Sequence, residues 1–263
     1  MLQIAESRRR YQAINTPVDI LTPDSLLDLV KSGVESNTRS RVVFCNVSTV
    51  VACRQDSALD EAVRSAEVVS PDGMPLVWLA RLQGERDAQR VDGPTFMKTA
   101  MQRGVEWGWR HYLFGGSPEV LDQLAQNLTR EIPGLQIVGQ ESPPFGDVHE
   151  DHHAAAIERM NAAEPHFVWV GLGMPKQELW MSRYQASIAA PILLGVGAAF
   201  DFHAGAKKRA PDWMRKNGLE WSHRLFSEPR RLWKRYLFGN SLFAYFVAHD
   251  ALHAAIGRVS GRR

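Results

Sequence analysis

The sequence has few of the features that mark secreted, membrane-spanning or disulfide-stapled proteins. It contains only two cysteines, Cys45 and Cys53, which exclude a disulfide framework and lack metal-ligand spacing. We expect both to be buried thiols. No run approaches the roughly 18 apolar residues of a membrane span, and no apolar run follows the arginines at 8–10 as a signal peptide would require. These absences predict a protein made and kept in the cytoplasm.

Common nucleotide- and metal-binding signatures are also missing. There is no GxxxxGK[ST] segment, which argues against a P-loop phosphotransferase, and Gly195-x-Gly197 lacks the third glycine of a dinucleotide fingerprint. No Asp-x-Asp pair is present to hold a divalent ion against a diphosphate. One cluster resembles a metal site in composition: Asp147, His149, Asp151, His152 and His153. Its position at the start of a predicted helix favours a solvated loop instead. We expect no metal and no other cofactor.

Charge is distributed unevenly along the chain. Residues 207–263 contain 13 Lys and Arg against four Asp and Glu, a net charge of +9, whereas residues 1–206 contain 18 against 25, a net charge of −7. This split indicates an anionic partner for the C-terminal part, which leaves phosphates, nucleic acid and a membrane surface as candidates. We therefore expect a first domain at 1–206 and a basic appendage at 207–263.

The first domain alternates short apolar runs with amphipathic ones. Strands are predicted at 41–46, 67–70, 111–114, 136–139, 166–170 and 191–195, and helices at 57–65, 74–82, 118–130, 154–163 and 176–186. Thr22-Pro23 begins a further helix, with threonine as its cap and proline in its first turn. This alternation is typical of an α/β, Rossmann-like fold, in which helices cover both faces of a parallel sheet.

The appendage has a different pattern. A helical run is predicted at about 229–255, in which basic residues are interleaved with aromatic and aliphatic ones. Such a helix suits a lipid interface, although a helix packed on its own domain with a solvated basic face has the same pattern. The pattern alone leaves both interpretations open.

Loops that follow predicted strands are the places to look for a ligand site. Asn46 ends the first apolar strand, where it can contact a ligand or simply cap the next helix. Pro71-Asp72-Gly73 is first of all a turn signal. It also places Asp72 at a strand end and a helix N-terminus, where a carboxylate can take a proton from a hydroxyl group.

Glycine-rich loops follow three other strands. Gly115-Gly116, Gly171-x-Gly173 and Gly195-x-Gly197 each connect a strand to a helix, and Lys176 and Gln177 add hydrogen-bond donors to the second loop. Each loop alone can be a tight turn. Three on one rim favour a nucleotide or phosphate ligand, because backbone amides at helix N-termini bind anions.

The ordered set of these segments resembles the TagA/WecG/CpsF family of bacterial glycosyltransferases over about residues 18–238. The resemblance rests on the motifs Pro71-Asp72-Gly73-Met74-Pro75-Leu76-Val77, Arg90-Val91-Asp92-Gly93-Pro94, Gly171-x-Gly173-x-Pro175-Lys176-Gln177-Glu178, Gly195-Val196-Gly197-Ala198-x-Phe200-Asp201, Arg209-Ala210-Pro211-x-Trp213-Met214, Gly218-Leu219-Glu220-Trp221, Arg224-Leu225 and Glu228-Pro229-x-Arg231-Leu232.

The resemblance implies an inverting, metal-independent transfer of N-acetylmannosamine or a similar sugar. The donor would be a UDP-sugar and the acceptor a sugar linked to a polyprenyl diphosphate, in the synthesis of a cell-surface polysaccharide. It further implies that the enzyme is peripheral on the inner face of the cell membrane, where the basic appendage meets an anionic surface. Nucleic acid is not an expected partner.

Roles for individual residues follow from the same resemblance. Asp72 would be the general base, with Asn46 beside it, and Arg90 and Gln177 would hold phosphate and sugar groups. Arginines of the appendage would cover the active site; the candidates are Arg209, Arg224, Arg231 and Arg235. One departure is Phe44, because the family often has threonine at this position, two residues before the asparagine.

Two further interpretations of the fold remain open at this stage. One is a nucleotide-sugar-binding protein without catalysis, and the other is an NAD(P)-dependent oxidoreductase on the same sheet. The sequence does not reveal which sugar is moved, which acceptor and final polymer are involved, or whether the chain forms a homo-oligomer.

Overall fold

The computed structural model describes residues 8–144, 150–227, 229–230, 233 and 238–249. Its strands are β1 (Arg10–Ala13), β2 (Thr16–Asp19), β3 (Ser40–Cys45), β4 (Val68–Pro71), β5 (Arg110–Gly115), β6 (Gln136–Glu141), β7 (Phe167–Gly171) and β8 (Ile192–Gly195). Its helices are α1 (Pro23–Glu35), α2 (Val47–Cys53), α3 (Ser57–Arg64), α4 (Met74–Leu82), α5 (Gly93–Gly104), α6 (Pro118–Glu131), α7 (Glu150–Ala162), α8 (Lys176–Tyr184), α9 (Ala199–His203), α10 (Asp212–Lys216) and α11 (Glu220–Ser227).

The centre of the molecule is a parallel sheet with the strand order β4-β3-β8-β7-β5-β6. The chain leaves β5 towards the β6 edge but leaves β7 in the opposite direction, towards β8. Such a reversal opens a crevice at the carboxyl ends of the strands, where ligands bind in α/β sheets. The predicted α/β fold with a parallel sheet is confirmed, and each predicted strand is present with its ends within two residues.

Alternating side chains divide the core into two layers. On β5, Tyr112 and Phe114 pack on the face that also holds α3 and α8, while Leu113 packs on the face with α1, α5 and α6. Burial on both faces explains why the central strands β3, β8, β7 and β5 are largely apolar, since a parallel sheet covered by helices exposes neither side to water.

Helix caps explain several element boundaries. Thr22 caps α1 in a capping box with Ser25, and proline lies in the first turn as predicted. Asn46 caps α2 and Asp92 caps α5, each accepting hydrogen bonds from backbone amides of the first turn. The helices α2 and α5 were not predicted.

A hairpin of β1 and β2 covers the β4 edge of the sheet, and the sequence did not predict it. The fully buried Asp19 of the hairpin accepts a hydrogen bond from the backbone amide of Val69 at 2.7 Å. The hydroxyl of Tyr11 donates to the carbonyl of Leu76 at 2.9 Å. The hairpin therefore holds both β4 and α4, the two elements that flank Asp72.

The C-terminal part is helical wherever it is described beyond α11, including residues 238–249. Within the described ranges, no helix is long and apolar enough to cross a membrane. Arg231 and Arg235 lie outside the described residues, and so do Asp147 and His149 of the acidic and histidine cluster. The domain boundary at 206 stays a prediction.

Candidate active site

A cavity of about 530 Å³ opens at the carboxyl ends of the central strands. This volume lies in the range of small-molecule sites. Its wall comes from loops after β3, β4, β5, β7 and β8 and from the C-terminal part of the chain. The wall includes most of the predicted site residues: Asn46, Asp72, Arg90, Gly116, Gly171, Gly173, Gln177, Gly197 and Arg224.

Asp72 stands at the junction of β4 and α4. Its backbone amide donates to the carbonyl of Cys45 at 2.7 Å, which ties the end of β4 to the end of β3. The next residue, Gly73, has φ of +154°, a backbone conformation that disfavours any side chain. This turn directs Asp72 to the cavity while α4 begins at once behind it.

Asp72 belongs to a group of opposite charges that we call the charge cluster: Asp72, Asp92, Glu220, Arg90 and Arg209. Nη2 of Arg90 lies 2.5 Å from Oε2 of Glu220, 3.5 Å from Oδ1 of Asp72 and 3.8 Å from Oδ2 of Asp92. Arg209 pairs with Asp92 and lies 3.9 Å from Oε1 of Glu220. The cluster thus joins the β4 loop, the start of α5 and the start of α11.

The pKa values of the two aspartates in the charge cluster are shifted in opposite directions. Loss of solvent raises the pKa of Asp72 most, Arg90 opposes this, and Asp92 and Glu220 add to it, so that the pKa is about 7. Burial also acts to raise the pKa of Asp92, but Arg209 and Arg90 outweigh it and hold that pKa below its usual value. Asp72 can therefore exchange a proton near neutrality, as a general base must.

Asn46 and Phe44 form the neighbouring wall. Oδ1 of Asn46 accepts hydrogen bonds from the amides of Ser48 and Thr49 at 2.9 and 3.3 Å, so the capping interpretation is confirmed. The side chain also lines the cavity, and capping uses its oxygen rather than its NH2 group. Phe44 is buried, and its ring centroid lies 6.0 Å from that of Phe96. An aromatic wall therefore takes the place of the hydroxyl group expected from the resemblance.

Gln177 is buried and binds the loops after β7 and β8 together. Its Nε2 donates to Glu178 at 2.9 Å and to the carbonyl of Gly195 at 3.0 Å, and its Oε1 accepts from the amide of Gly173 at 3.1 Å. A Cβ atom at Gly195 would come within 3.0 Å of this amide. The side chain lines the cavity but already uses both amide hydrogens within the protein.

The remaining predicted residues of the strand loops divide into two sets. Gly116, Gly173 and Gly197 line the cavity with positive φ angles, where glycine is favoured. Gly115 instead allows close strand packing, because a Cβ there would lie 2.6 Å from the backbone of Gly171. Lys176 is exposed and does not line the cavity.

Among the predicted arginines of the appendage, two are described. Arg224 lines the cavity, with its guanidinium 5.7 Å from the ring centroid of Phe202. Arg209 belongs to the charge cluster rather than to the cavity wall. Arg231 and Arg235 cannot be placed, since they lie outside the described residues.

Sequence reasoning missed several charged residues around the cavity. Glu220 and Asp92 belong to the family motifs but were not predicted as site residues. Sequence reasoning also missed Lys207, whose Nζ lies 2.9 Å from Asp201 at the cavity wall. The available signal for Asp92 and Glu220 was the recurrence of acidic and basic residues within the motifs; Lys207 lies between two motifs and carried no such signal.

Comparisons with known proteins identify the family of the chain. The model of the glycosyl transferase WecG/TagA/CpsF family matches residues 11–256. Two similar relatives are both named N-acetylglucosaminyldiphosphoundecaprenol N-acetyl-beta-D-mannosaminyltransferase. The one from Bacillus subtilis is 27% identical over 209 residues, covering 80% of this chain and 79% of the relative. The one from Bacillus spizizenii is 26% identical over 204 residues, covering 78% and 77%. With a cavity at the strand ends and a family match over most of its length, the chain belongs to the WecG/TagA/CpsF family of glycosyl transferases.

Proposed function

We propose that this glycosyltransferase moves a sugar from a UDP-sugar onto a sugar linked to a polyprenyl diphosphate, with inversion and without a metal ion. N-acetylmannosamine, or a similar sugar, is the proposed group, as in the names of the relatives. The observation that carries the proposal is Asp72, a carboxylate with a pKa of about 7 at the wall of a cavity large enough for a small-molecule ligand.

The proposed reaction is a single displacement. The oxygen of the acceptor hydroxyl group attacks the anomeric carbon, and Asp72 accepts the proton of that hydroxyl group. The bond between that carbon and the diphosphate oxygen breaks, and UDP leaves with the electron pair. Attack opposite to the leaving group inverts the anomeric centre.

The departing diphosphate needs positive charge and hydrogen-bond donors. Arg224 and Lys207 on the cavity wall, together with the glycine loops, supply groups of this kind without a metal ion. The missing Asp-x-Asp pair in the sequence supports the same view. Arg90 is the proposed partner of Asp72 and of ligand phosphate or sugar groups, and Gln177 fixes the loops that a sugar would contact.

A membrane surface is the proposed location of the acceptor. Large apolar side chains are exposed on α4, α10, α11 and the 238–249 helix: Trp78, Leu82, Trp213, Phe226, Phe238 and Tyr245. Leu82 and Phe226 are each 83% exposed. Exposed apolar residues beside a basic segment suit an interface with anionic lipid, on the inner face of the cell membrane.

A transfer assay tests the proposal. The purified protein would be incubated with individual UDP-sugars and a polyprenyl-diphosphate-linked N-acetylglucosamine, with and without EDTA. We expect one donor to give a lipid-linked product with inverted configuration, and EDTA to leave the rate unchanged. No transfer from any UDP-sugar, or thermal stabilisation by NAD(P) instead of UDP, would overturn the proposal.

A further inference from the structure

Arg90 is the cation of the charge cluster that lies nearest to Asp72, but it lies closer to Glu220 than to Asp72. Arg90 is largely buried, with a side chain 14% exposed. Its Nη2 is 1.0 Å closer to Glu220 than to Asp72, at 2.5 Å against 3.5 Å, and its Nη1 donates to the carbonyl of Arg215 at 3.1 Å. The closest ion pair of Arg90 is therefore made with the C-terminal part of the chain, not with the proposed base.

Glu220 is placed to hold two arginines at once. It is the first residue of α11, and its side chain is 17% exposed. One carboxylate oxygen faces Arg90 and the other faces Arg209, at 2.5 and 3.9 Å. Since Arg209 also pairs with Asp92, both guanidinium groups are fixed by carboxylates other than Asp72.

The charge cluster contains more carboxyl groups than guanidinium groups. Two guanidinium groups face three carboxyl groups, so one carboxylate is in excess when all are ionised. If Glu220 were neutral, the charges of Asp72 and Asp92 would balance those of the arginines, and Arg90 would be free to close on Asp72. A carboxylate in a close ion pair is a weaker base.

We propose that Glu220 is a positioning residue for the transfer reaction, which holds Arg90 and Arg209 away from a close pair with Asp72 and so preserves Asp72 as a base. The inference rests on the proposed function of Asp72. Glu220 does not touch the reacting atoms in this scheme and acts through the two arginines. The titratable and charged groups around Asp72 are Arg90 and Asp92 before α5, Arg209 before α10, Glu220 on α11, Cys45 on β3 and Glu178 on α8.

The test is the pH profile of kcat/KM for the full-length protein and its Glu220→Gln variant, in the transfer assay described above. We expect the acid limb of the profile to move to lower pH by about one unit, because a negative charge near Asp72 has been removed. Glu220→Asp keeps the charge and should keep the limb near its original position. Glu131→Gln is the matched control, because it breaks a surface pair with Lys98 at 2.6 Å and neither residue lines the cavity.

A second variant guards against a Glu220→Gln protein that is too unstable to assay. Arg209→Gln removes a positive charge from the same cluster and should move the limb to higher pH, opposite to Glu220→Gln. An unmoved limb or a uniform loss of kcat/KM at every pH in Glu220→Gln would show that Glu220 only docks α11 and would overturn the inference. If Glu220→Gln cannot be assayed, an unmoved limb in Arg209→Gln would overturn it. If Asp72→Asn were fully active, the proposed function of Asp72 would fail first, which separates the two failures.

Discussion

Two polar residues, Asp72 and His111, have strongly shifted pKa values but different surroundings. His111, the second residue of β5, is fully buried and accepts one hydrogen bond from Nε1 of Trp169 at 3.1 Å. Its Nε2 has no hydrogen-bond partner among the described residues. Burial lowers the pKa of His111 to about 3. The pKa of Asp72 is shifted by a similar amount in the opposite direction.

The difference between them lies in access and in opposing charge. His111 is enclosed by aromatic rings, with the ring of Phe167 5.2 Å away between centroids, and it does not line the active-site cavity. Asp72 retains 22% exposure at the cavity wall and faces two arginines and two carboxylates. A shifted pKa alone therefore does not identify a functional site, because structural burial produces the same shift.

The largest expected effect is that of Asp72→Asn. This variant keeps the shape of the side chain but cannot accept a proton, so we expect the transfer rate to fall by about 10²–10⁴-fold while UDP-sugar binding persists. Asp87→Asn is a matched control, because Asp87 is an exposed carboxylate that pairs with Arg9 on the surface. Turnover close to that of the unmodified protein would refute the role of Asp72.

The pH dependence of the unmodified enzyme also tests Asp72 as the general base. Only ionised Asp72 can accept a proton, and its pKa is about 7. We expect kcat/KM to fall about tenfold for each pH unit below that value and to level off above it. The residual activity of Asp72→Asn should lack this limb. A flat profile down to the ordinary pKa of an aspartate would contradict the assignment.

Arg224→Ala tests the other side of the cavity. Loss of one cation near the proposed diphosphate position should lower kcat/KM by roughly tenfold or more, with little change in the temperature of unfolding. Arg103→Ala is the control, since Arg103 is exposed on α5 and is not part of the cavity wall. Equal activities of the two variants would remove Arg224 from the site.

The smallest effect belongs to His111 and concerns stability. The pKa of His111 is depressed in the folded protein, so its unfolded form binds a proton first as the pH falls. The stability from His111 is therefore present above about pH 6.5 and is lost at no more than about 1.4 kcal/mol per pH unit towards pH 3. Chemical denaturation should show this slope reduced in His111→Phe but not in His152→Phe, which alters an exposed residue of α7. Equal slopes in the two variants would contradict it.

The fold could be predicted where local signals and burial agree. The strands of the sheet are apolar on both faces, and helices such as α1 and α4 begin at proline, threonine or glycine signals, so their positions were close to those observed. The hairpin of β1 and β2 was missed because each strand has only four residues. Its stability depends on distant contacts such as that of Asp19 with Val69, which no local pattern encodes.

The candidate site was predictable to a similar extent. Asp72 could be found because a strand, a turn and a helix meet at one residue. Gly115 was predicted to contact a ligand, but it allows close packing of two strands. The sequence alone does not distinguish a glycine required for packing from one required for phosphate binding. The pairing of Arg90 with Glu220 joins residues 130 positions apart, and such a contact exists only once the C-terminal part has folded over the sheet.

The contact between Asp19 and Val69 has a consequence for the N-terminal hairpin as a whole. Val69 lies three residues before Asp72, and its amide would otherwise be an unpaired donor on the outer side of an edge strand. We expect that trimming the chain ahead of α1 would uncover that edge, loosen the start of α4 and shift Asp72, the proposed base, without removing a single atom from the cavity wall. The hairpin contributes no residue to the cavity wall, yet its contacts with β4 and α4 support the position of Asp72.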